Sequence, residues 1–478
     1  RVRTNDGAPV SPVATSRVTD PMGPVRVSYV ETEHKGGTRF KLYPQLPSLD
    51  QQHEPETVWV SSPAGSLMPG PADHRMYVID PVGKEKAYGY YPGPAGSTFH
   101  YRPPWPGQIL EMAYPDPDGH FDHLDVDTFQ FQQAHAFGSI RFTMDIWERY
   151  FERPLEWHFQ DYYDQLEILF LRGLDNAFAG FGSVEIGSYT SKKTGGFVEF
   201  GLSFDILSHE LGHLIIYNEI GLPGTVEVDG EYFGFHESAA DMVALISLLH
   251  FDSATVGLLE NSRGNLYSYN RLNRFGEVSD NYQLRSAAND KTLYDFADGW
   301  TYEHNLSQVM TGALFDTWVD IFHENLLDAG LISQSLEDLS DRMEGDPDYE
   351  AVIQPLFDEA YAQNPGGFAD ALIASRDYMG FAMAAIWERL TIETLDFADV
   401  YETFIEVDQD MTRGRYSRII HTNMRRRGIG IIKAGPRLTP PDEKSHAFSD
   451  RTATPMGACD CCRPGLPYSI RRELARNS

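Results

Sequence analysis

The spacing of hydrophobic and polar positions changes several times along the chain, and these changes predict its organisation. From Thr57 to Met112, short alternating apolar runs are broken by Gly and Pro, which is typical of β-strands. From Asp125 to Phe151, apolar residues recur every three or four positions, which predicts an amphipathic helix. Strand-like patches return over residues 155–202, and helical periodicity predominates after Ser203. We therefore predict an α+β protein with a β-rich N-terminal region and a mostly helical C-terminal half.

Individual elements can be placed within this outline. Near the amino end, Val25–Tyr29 and Thr38–Leu42 are predicted to form a strand pair. Within the helical half, helices are predicted at Asp316–Leu327, Tyr349–Gln363, Phe368–Met379, Phe381–Arg389 and Phe397–Gln409, in addition to those that carry the motifs described below.

Composition narrows the classes of protein that fit. The chain has 478 residues, of which 41% are hydrophobic and 13% aromatic, so it can build an ordinary buried core. Its net charge of −31 argues against nucleic-acid binding, because a phosphate backbone repels such a surface. No apolar run reaches the length of about 18 residues that a membrane span needs. The sequence begins at Arg1 and shows no signal-peptide pattern.

The C-terminal segment differs from the rest of the chain. Residues 411–441 carry eight basic and no acidic side chains. We interpret this segment as a basic tail that docks either on the acidic body or on an acidic partner. The three cysteines, Cys459, Cys461 and Cys462, all lie further along this tail, so no disulfide can join distant parts of the fold.

The clearest chemical signal is the sequence HELGH at residues 209–213, which follows a good helix N-cap at Ser203. On a helix, His209 and His213 leave the same face and can bind one zinc ion. Glu210 is rotated about 100° from the first ligand, where it can reach a metal-bound water without binding the metal. The alternative is a pair of core histidines that make ordinary hydrogen bonds.

A second segment, HESAAD at residues 236–241, offers the missing ligand. Glu237 lies 24 residues beyond His213 and four before Asp241, so the two carboxylates share a helix face. Glu237 can complete the zinc site while Asp241 accepts the second ring N–H of a ligand histidine. The alternative is a solvated helix face, which the apolar surroundings disfavour.

HELGH followed by ESAAD resembles the gluzincin metallopeptidases, in particular the thermolysin-like branch with fungalysins as near relatives. The resemblance covers roughly residues 120–410 and implies a zincin fold with the HExxH helix on the floor of the cleft. It divides the chain into a β-rich region 1–120, an α+β catalytic half 121–220, a mostly helical catalytic half 221–410 and the basic tail 411–478. It also implies bound calcium and a secreted or cell-envelope location.

The resemblance further implies roles for residues outside the two zinc helices. Asn176 and Ala177 match the family's edge strand that holds the substrate backbone, and Arg285 matches an arginine that contacts a substrate carbonyl. His304 matches the histidine that stabilises the oxyanion, and Asp298 is a candidate for its acidic partner. For the family's oxyanion-binding tyrosine, Tyr217 and Tyr232 both remain candidates, since both lie between the zinc ligands.

These observations predict a zinc-dependent endopeptidase that hydrolyses peptide bonds of peptide or protein substrates. A metal-activated water would attack the carbonyl, with Glu210 as general base and then general acid. One alternative is a zinc-binding interaction protein that keeps the fold without turnover. The other is an exopeptidase that uses the same chemistry.

Overall fold

The computed structural model describes residues 36–47, 54–92, 97–171, 174, 176–190, 197–223, 228–268, 274–279, 282–343, 346–393 and 395–438. The strands are β1 Gly37–Leu42, β2 Glu56–Pro63, β3 Met76–Ile79, β4 Gly89–Pro92, β5 Thr98–Tyr101, β6 Leu166–Phe170, β7 Ala177–Gly180, β8 Ser183–Ile186, β9 Ser188–Thr190, β10 Phe197–Glu199, β11 Arg274–Ser279 and β12 Tyr282–Ser286. The helices are α1 Phe129–Tyr150, α2 Phe204–Glu219, α3 Gly230–Leu248, α4 Asp252–Ser262, α5 Glu303–Asp328, α6 Gln334–Arg342, α7 Tyr349–Gln363, α8 Pro365–Trp387, α9 Phe397–Thr412 and α10 Ser417–Arg426.

This order of elements confirms the predicted α+β class, with a β-rich N-terminal region and a mostly helical second half. The strand β1 pairs antiparallel with β2, and its predicted pairing with Val25–Tyr29 stays a prediction. Val25–Tyr29, the predicted partner of Thr38–Leu42, lies outside the described residues. Phe40 of β1 stacks on Phe137 of α1 with ring centroids 5.7 Å apart, so the β1–β2 pair covers one side of that buried helix.

A four-stranded mixed sheet, in the order β3-β6-β8-β7, supports the centre of the molecule. The strands β3, β6 and β8 run parallel, whereas β7 runs antiparallel to β8 and forms the edge. Apolar side chains on one face, such as Ile168 and Val184, join the main core with α1 and α2. This packing places the edge strand β7 directly beside α2.

The opposite face of the sheet is covered by a buried polar network. Glu185 of β8 forms a 2.8 Å ion pair with Lys84 and accepts the backbone N–H of Tyr88 at 2.9 Å. Glu167 of β6 accepts hydrogen bonds from the hydroxyls of Tyr77 and Tyr88, each at 2.6 Å. Burial lowers the pKa of Lys84, although the two carboxylates oppose this shift. The network fixes the segment around residue 84 on the sheet and so rigidifies the strands next to β7.

The helical half follows the predicted periodicity with one difference. The two helices predicted at Phe368–Met379 and Phe381–Arg389 form the single helix α8, which passes through Gly380 without a break. A Cβ atom at Gly380 would lie 2.3 Å from the ring of Tyr150, so glycine is needed there for close packing against α1. Periodicity alone could not distinguish this packing glycine from a helix break.

The C-terminal segment packs against the body through specific polar contacts. Arg427 is buried and its guanidinium pairs with Asp316 of α5 at 2.6 Å. Beyond α10, residues 434–438 run beside residues 296–300, where the backbone N–H groups of Gly435 and Trp300 donate to Phe296 and Pro436. Glu231 at the start of α3 accepts the backbone N–H of Ala434 at 2.7 Å. We call residues 430–438 the C-terminal arm.

A second polar cluster lies on the same side of α5. Asp320 accepts hydrogen bonds from the Tyr267 hydroxyl at 3.1 Å and from the side-chain amide of Asn423 at 2.7 Å. His323 and Asp316 on α5 also influence this carboxyl. Burial is the largest effect and raises the pKa of Asp320 to about 6.

Among the described residues, no single helix combines the length and apolar character that a membrane crossing needs. Only α3 and α4 taken together meet that criterion, and they are bent by 91° relative to each other.

Candidate metal centre

Two helices with well-defined starts carry the candidate ligands. The Ser203 hydroxyl accepts the backbone N–H of Ile206 and starts α2, while the Asp229 carboxylate accepts two backbone N–H groups and starts α3. The helices pack closely where Gly212 of α2 meets Ala240 of α3. Because both residues are small, side chains on the facing surfaces can converge on one point.

The convergence brings together the three residues that the sequence predicts as metal ligands. Potential ligand atoms of His209, His213 and Glu237 all lie within 4.8 Å of one another, and the three residues are buried. His209 Nε2 lies 3.4 Å from Glu237 Oε2, and His213 Nε2 lies 3.7 Å from Glu237 Oε1. Within the described part of the chain, this is the group of His, Cys, Asp and Glu side chains with metal-binding geometry.

The electrostatics of the cluster favour an ionised carboxylate. Burial opposes ionisation of Glu237, but the neighbouring His304 and His213 outweigh it and hold the pKa of this carboxyl well below its ordinary range. A deprotonated carboxylate beside two imidazoles is the state that a divalent cation requires. Two imidazole nitrogens and one carboxylate oxygen form a donor set that zinc accepts, and three protein ligands leave a fourth position for substrate or water. The residues present therefore fit the predicted ion.

Each ligand histidine has a partner on its other ring nitrogen. Asp241 Oδ1 lies 3.0 Å from His209 Nδ1, the position that the sequence predicts for this carboxylate. The Thr311 hydroxyl of α5 donates to the other carboxylate oxygen of Asp241 at 3.2 Å. His236 Nδ1 lies 2.7 Å from His213 Nδ1. Both contacts orient the rings so that their Nε2 atoms face Glu237.

Glu210 contacts the edge strand of the sheet. Its Oε2 atom accepts the backbone N–H of Ala179 at 2.6 Å. Because alternate residues of a strand direct their backbone groups to opposite sides, Ala177 shares this outward orientation, while Phe178 faces β8. The candidate base therefore contacts β7, which is the edge strand of the described sheet.

His304, near the start of α5, is also brought to the cluster. Its Nδ1 atom lies 2.9 Å from Glu237 Oε2, and its side chain is 18% exposed. The carboxylate beside His304 is thus that of Glu237, whereas Asp298, the acidic partner that the resemblance suggests, is exposed. Glu237 has two oxygens, so it can accept a hydrogen bond from His304 and still offer a ligand atom.

The remaining predicted residues are placed with differing detail. Asn176 is half-buried and immediately precedes Ala177, the first residue of β7. Arg285 lies in β12, opposite Phe275 of β11, and the hairpin approaches α2 through β11. The side chain of Arg285 lies outside what the structure describes.

Both tyrosine candidates lie near His236. The ring centroid of Tyr217 is 4.4 Å from that of His236, and the ring centroid of Tyr232 is 5.8 Å from it. Both tyrosines are largely buried. The oxyanion-binding role remains a prediction for either residue.

Sequence reasoning missed three contributors to the site. His236 directly precedes Glu237. Since Glu237 was predicted to lie beside His213, a contact between His236 and His213 could also have been expected. Thr311 and Ala179 lie about 70 and 31 positions from the residues they contact, and no local pattern marks them.

Comparisons with known proteins show a likeness in structure but none in sequence. The chain matches no protein-family model and no curated protein sequence. It is similar in structure to the precursor of protealysin, a metalloproteinase from Serratia proteamaculans, with a TM-score of 0.44 and 10% sequence identity. The match covers 75% of this chain and 89% of that one. A functional assignment therefore depends on the geometry of the site itself.

Proposed function

We propose that the chain is a zinc-dependent endopeptidase. The observation that carries this proposal is the convergence of His209, His213 and Glu237, with Glu210 in contact with the edge strand β7. A purely structural zinc site has no use for a second glutamate that does not bind the metal, whereas hydrolysis needs a base within reach of the attacking water. More specifically, we propose that it is a gluzincin of the thermolysin-like branch, as the sequence resemblance implies.

A zinc ion bound by the three ligands would act as a Lewis acid on the substrate carbonyl and lower the pKa of water. Glu210 would take a proton from the attacking water while the water oxygen forms the new bond to the carbonyl carbon. When the carbon–nitrogen bond breaks, Glu210 would deliver that proton to the leaving amine. The reaction consumes one water, and its products are a carboxylic acid and an amine.

The substrate backbone would pair with the outer edge of β7. Outward backbone groups of Ala177 and Ala179 are suited to an added strand, and Asn176 lies next to them. The Ala179 N–H, which donates to Glu210 in this structure, would then donate to the peptide instead. Pairing along a strand edge holds an internal stretch of peptide, which is why we propose endopeptidase rather than exopeptidase activity.

His304 would stabilise charge that develops on the carbonyl oxygen. Its Nδ1 atom is occupied by Glu237, so Nε2 is the nitrogen that can face substrate. Donation from both nitrogens requires the protonated ring. Removal of one such donor costs about 100-fold or more in turnover in comparable sites.

The test combines zinc analysis with cleavage of a quenched-peptide library by the wild type and by Glu210→Gln. Glutamine keeps the shape and an acceptor for Ala179 N–H but cannot take the proton. We expect one zinc per chain in both proteins and a loss of turnover of at least about 100-fold in the variant.

Three other outcomes are informative. Cleavage by Glu210→Gln at the wild-type rate would refute the assigned base. Zinc binding by a wild type that cleaves nothing would favour the interaction protein. Removal of single terminal residues would favour the exopeptidase.

A further inference from the structure

A cluster of aromatic rings lies just beyond the end of β7. Phe181, in the turn that joins β7 to β8, has its ring centroid 5.4 Å from Tyr162, 5.9 Å from Tyr163 and 5.5 Å from His158. We call these four residues the aromatic shelf. All three ring pairs are edge-to-face, which is the favourable arrangement for such contacts.

The shelf is open to solvent on one side and fixed on the other. Tyr162 is 74% exposed, which is unusual for so large a ring, and Phe181 is half-buried. Gly182 has φ +88° and a Cβ atom there would lie 2.5 Å from the ring of Tyr163, so the turn and the shelf are held in close contact. The exposed rings are thus presented on a rigid support.

The shelf lies in line with the strand edge that the proposed substrate would occupy. Ala179 contacts Glu210, and Phe181 follows two residues later, at the first position of the turn that ends β7. A peptide that pairs with β7 and continues past the end of the strand would carry a side chain two residues from the cleaved bond towards this turn and the shelf beside it. Antiparallel pairs are the more stable per residue, and in that orientation this side chain belongs to the amino side of the cleaved bond.

The chemistry of the shelf favours an aromatic occupant. Its members offer ring faces and edges, and burial of His158 lowers the pKa of its imidazole to about 3, so the ring is uncharged at neutral pH. A further ring can pack edge-to-face in the same way as the rings already present.

We propose that the aromatic shelf is a binding subsite for a Phe or Tyr side chain of the substrate, two residues to the amino side of the cleaved bond. This inference rests on the proposed endopeptidase function and names a substrate class for it. Tyr162 and Phe181 would be its specificity-determining residues.

The experiment uses zinc-loaded protein and internally quenched peptides. Mass spectrometry of a wild-type digest first locates a cleaved bond. Two peptides are then made with Phe or Ala at the position two residues before that bond. For the wild type we expect a Phe-over-Ala preference of about tenfold in kcat/KM, mainly through KM, since part of one ring is buried.

The variants Phe181→Ala and Tyr162→Ala should each reduce that preference to about twofold or less. Phe129→Ala is the matched control, because Phe129 is an exposed aromatic residue, 49% accessible. It is the first residue of α1, about 33 Å along the helix from its last residue, Tyr150, after which the chain continues to the shelf. This control variant should keep the wild-type preference. Circular dichroism and zinc content verify folding, and the exposed Tyr162 gives a variant that leaves the core intact.

The outcomes separate the two proposals. A wild type that cleaves peptides but shows no aromatic preference at this position, or only one beyond the cleaved bond, overturns the shelf and leaves the endopeptidase. Shelf variants that retain the full preference do the same. A zinc-loaded wild type that cleaves no peptide overturns both.

Discussion

The close approach of α2 and α3 gives a prediction whose sign runs against ordinary helix propensity. Gly212 lies between the two candidate ligands of α2, in the interior of a helix where alanine is intrinsically better by about 1 kcal/mol. On propensity alone, Gly212→Ala should stabilise the protein. We expect the opposite, because the space for a methyl group is already occupied by α3.

The magnitude follows from the distances at that contact. A Cβ atom at Gly212 would lie 2.7 Å from the Cα atom of Ala240 and 3.2 Å from the Cβ atom of Val243. Ordinary contact begins at 3.4 Å, so the helices must separate by about 0.7 Å, and the nearest atom is backbone that cannot rotate away. Overpacking of this kind costs about 1–3 kcal/mol. After the propensity gain is subtracted, the net loss of stability is about 1 kcal/mol.

The assay is urea unfolding, with Gly257→Ala as the matched control. Gly257 lies inside α4 and has open space around it, so alanine there should raise the free energy of unfolding by about 1 kcal/mol. The two variants should therefore differ by about 2 kcal/mol with opposite signs. Unfolding is measured in chelator, so that zinc binding does not enter the comparison.

Zinc affinity gives a second measure of the same movement. Ligand distances tolerate deviations of about 0.2 Å, and a separation of α2 from α3 moves Glu237 relative to both histidines. Gly212→Ala should therefore weaken zinc binding, while Gly257→Ala leaves it unchanged. If both variants gain stability equally and bind zinc like the wild type, the packing account of this site is wrong.

Three further predictions concern the ligand partner and the C-terminal cluster. His236→Leu should weaken zinc binding about 10–100-fold by competition against a chelator, and His236→Asn should lose less, since it keeps an acceptor. The raised pKa of Asp320 means that the folded state holds this proton more tightly than the unfolded chain, so its contribution to stability falls by about 3 kcal/mol as pH rises from about 4 to 6. Asp320→Asn should flatten that dependence in urea unfolding, whereas the exposed Asp338→Asn should not. Arg427→Met should cost about 3 kcal/mol, because it removes a buried guanidinium that pairs with the partly buried Asp316 and donates to two backbone carbonyls. Arg389→Met, in an exposed pair, should cost at most about 1 kcal/mol by the same assay.

The centre of the site could be predicted from the sequence because its geometry is local. His209 and His213 share a face through the helical period alone, and the same period relates Glu237 to Asp241. Only one long-range step was needed, the contact of α2 with α3, and the small residues on α3 favoured it. The structure then brings the three ligand residues together within 4.8 Å.

Other features depend on pairings that no period encodes. The pairing of β1 with β2 follows from how these strands pack on α1. The placement of Ala179 opposite Glu210 follows from how the four-stranded sheet packs on α2. The same limit explains Gly380, which reads as a helix break and is instead a contact point. Arg285 lies in a hairpin whose position is set by tertiary packing rather than by its own sequence.

The C-terminal arm has a consequence for how the molecule can be divided. Its backbone runs beside Phe296 and Trp300, only a few residues before His304, and it also contacts Glu231 at the start of the helix that carries Glu237. A chain cut after residue 410 would lose these supports at both places. The last described residues therefore support the segments that carry Glu237 and His304, and we expect a fragment without them to be less stable than the full chain.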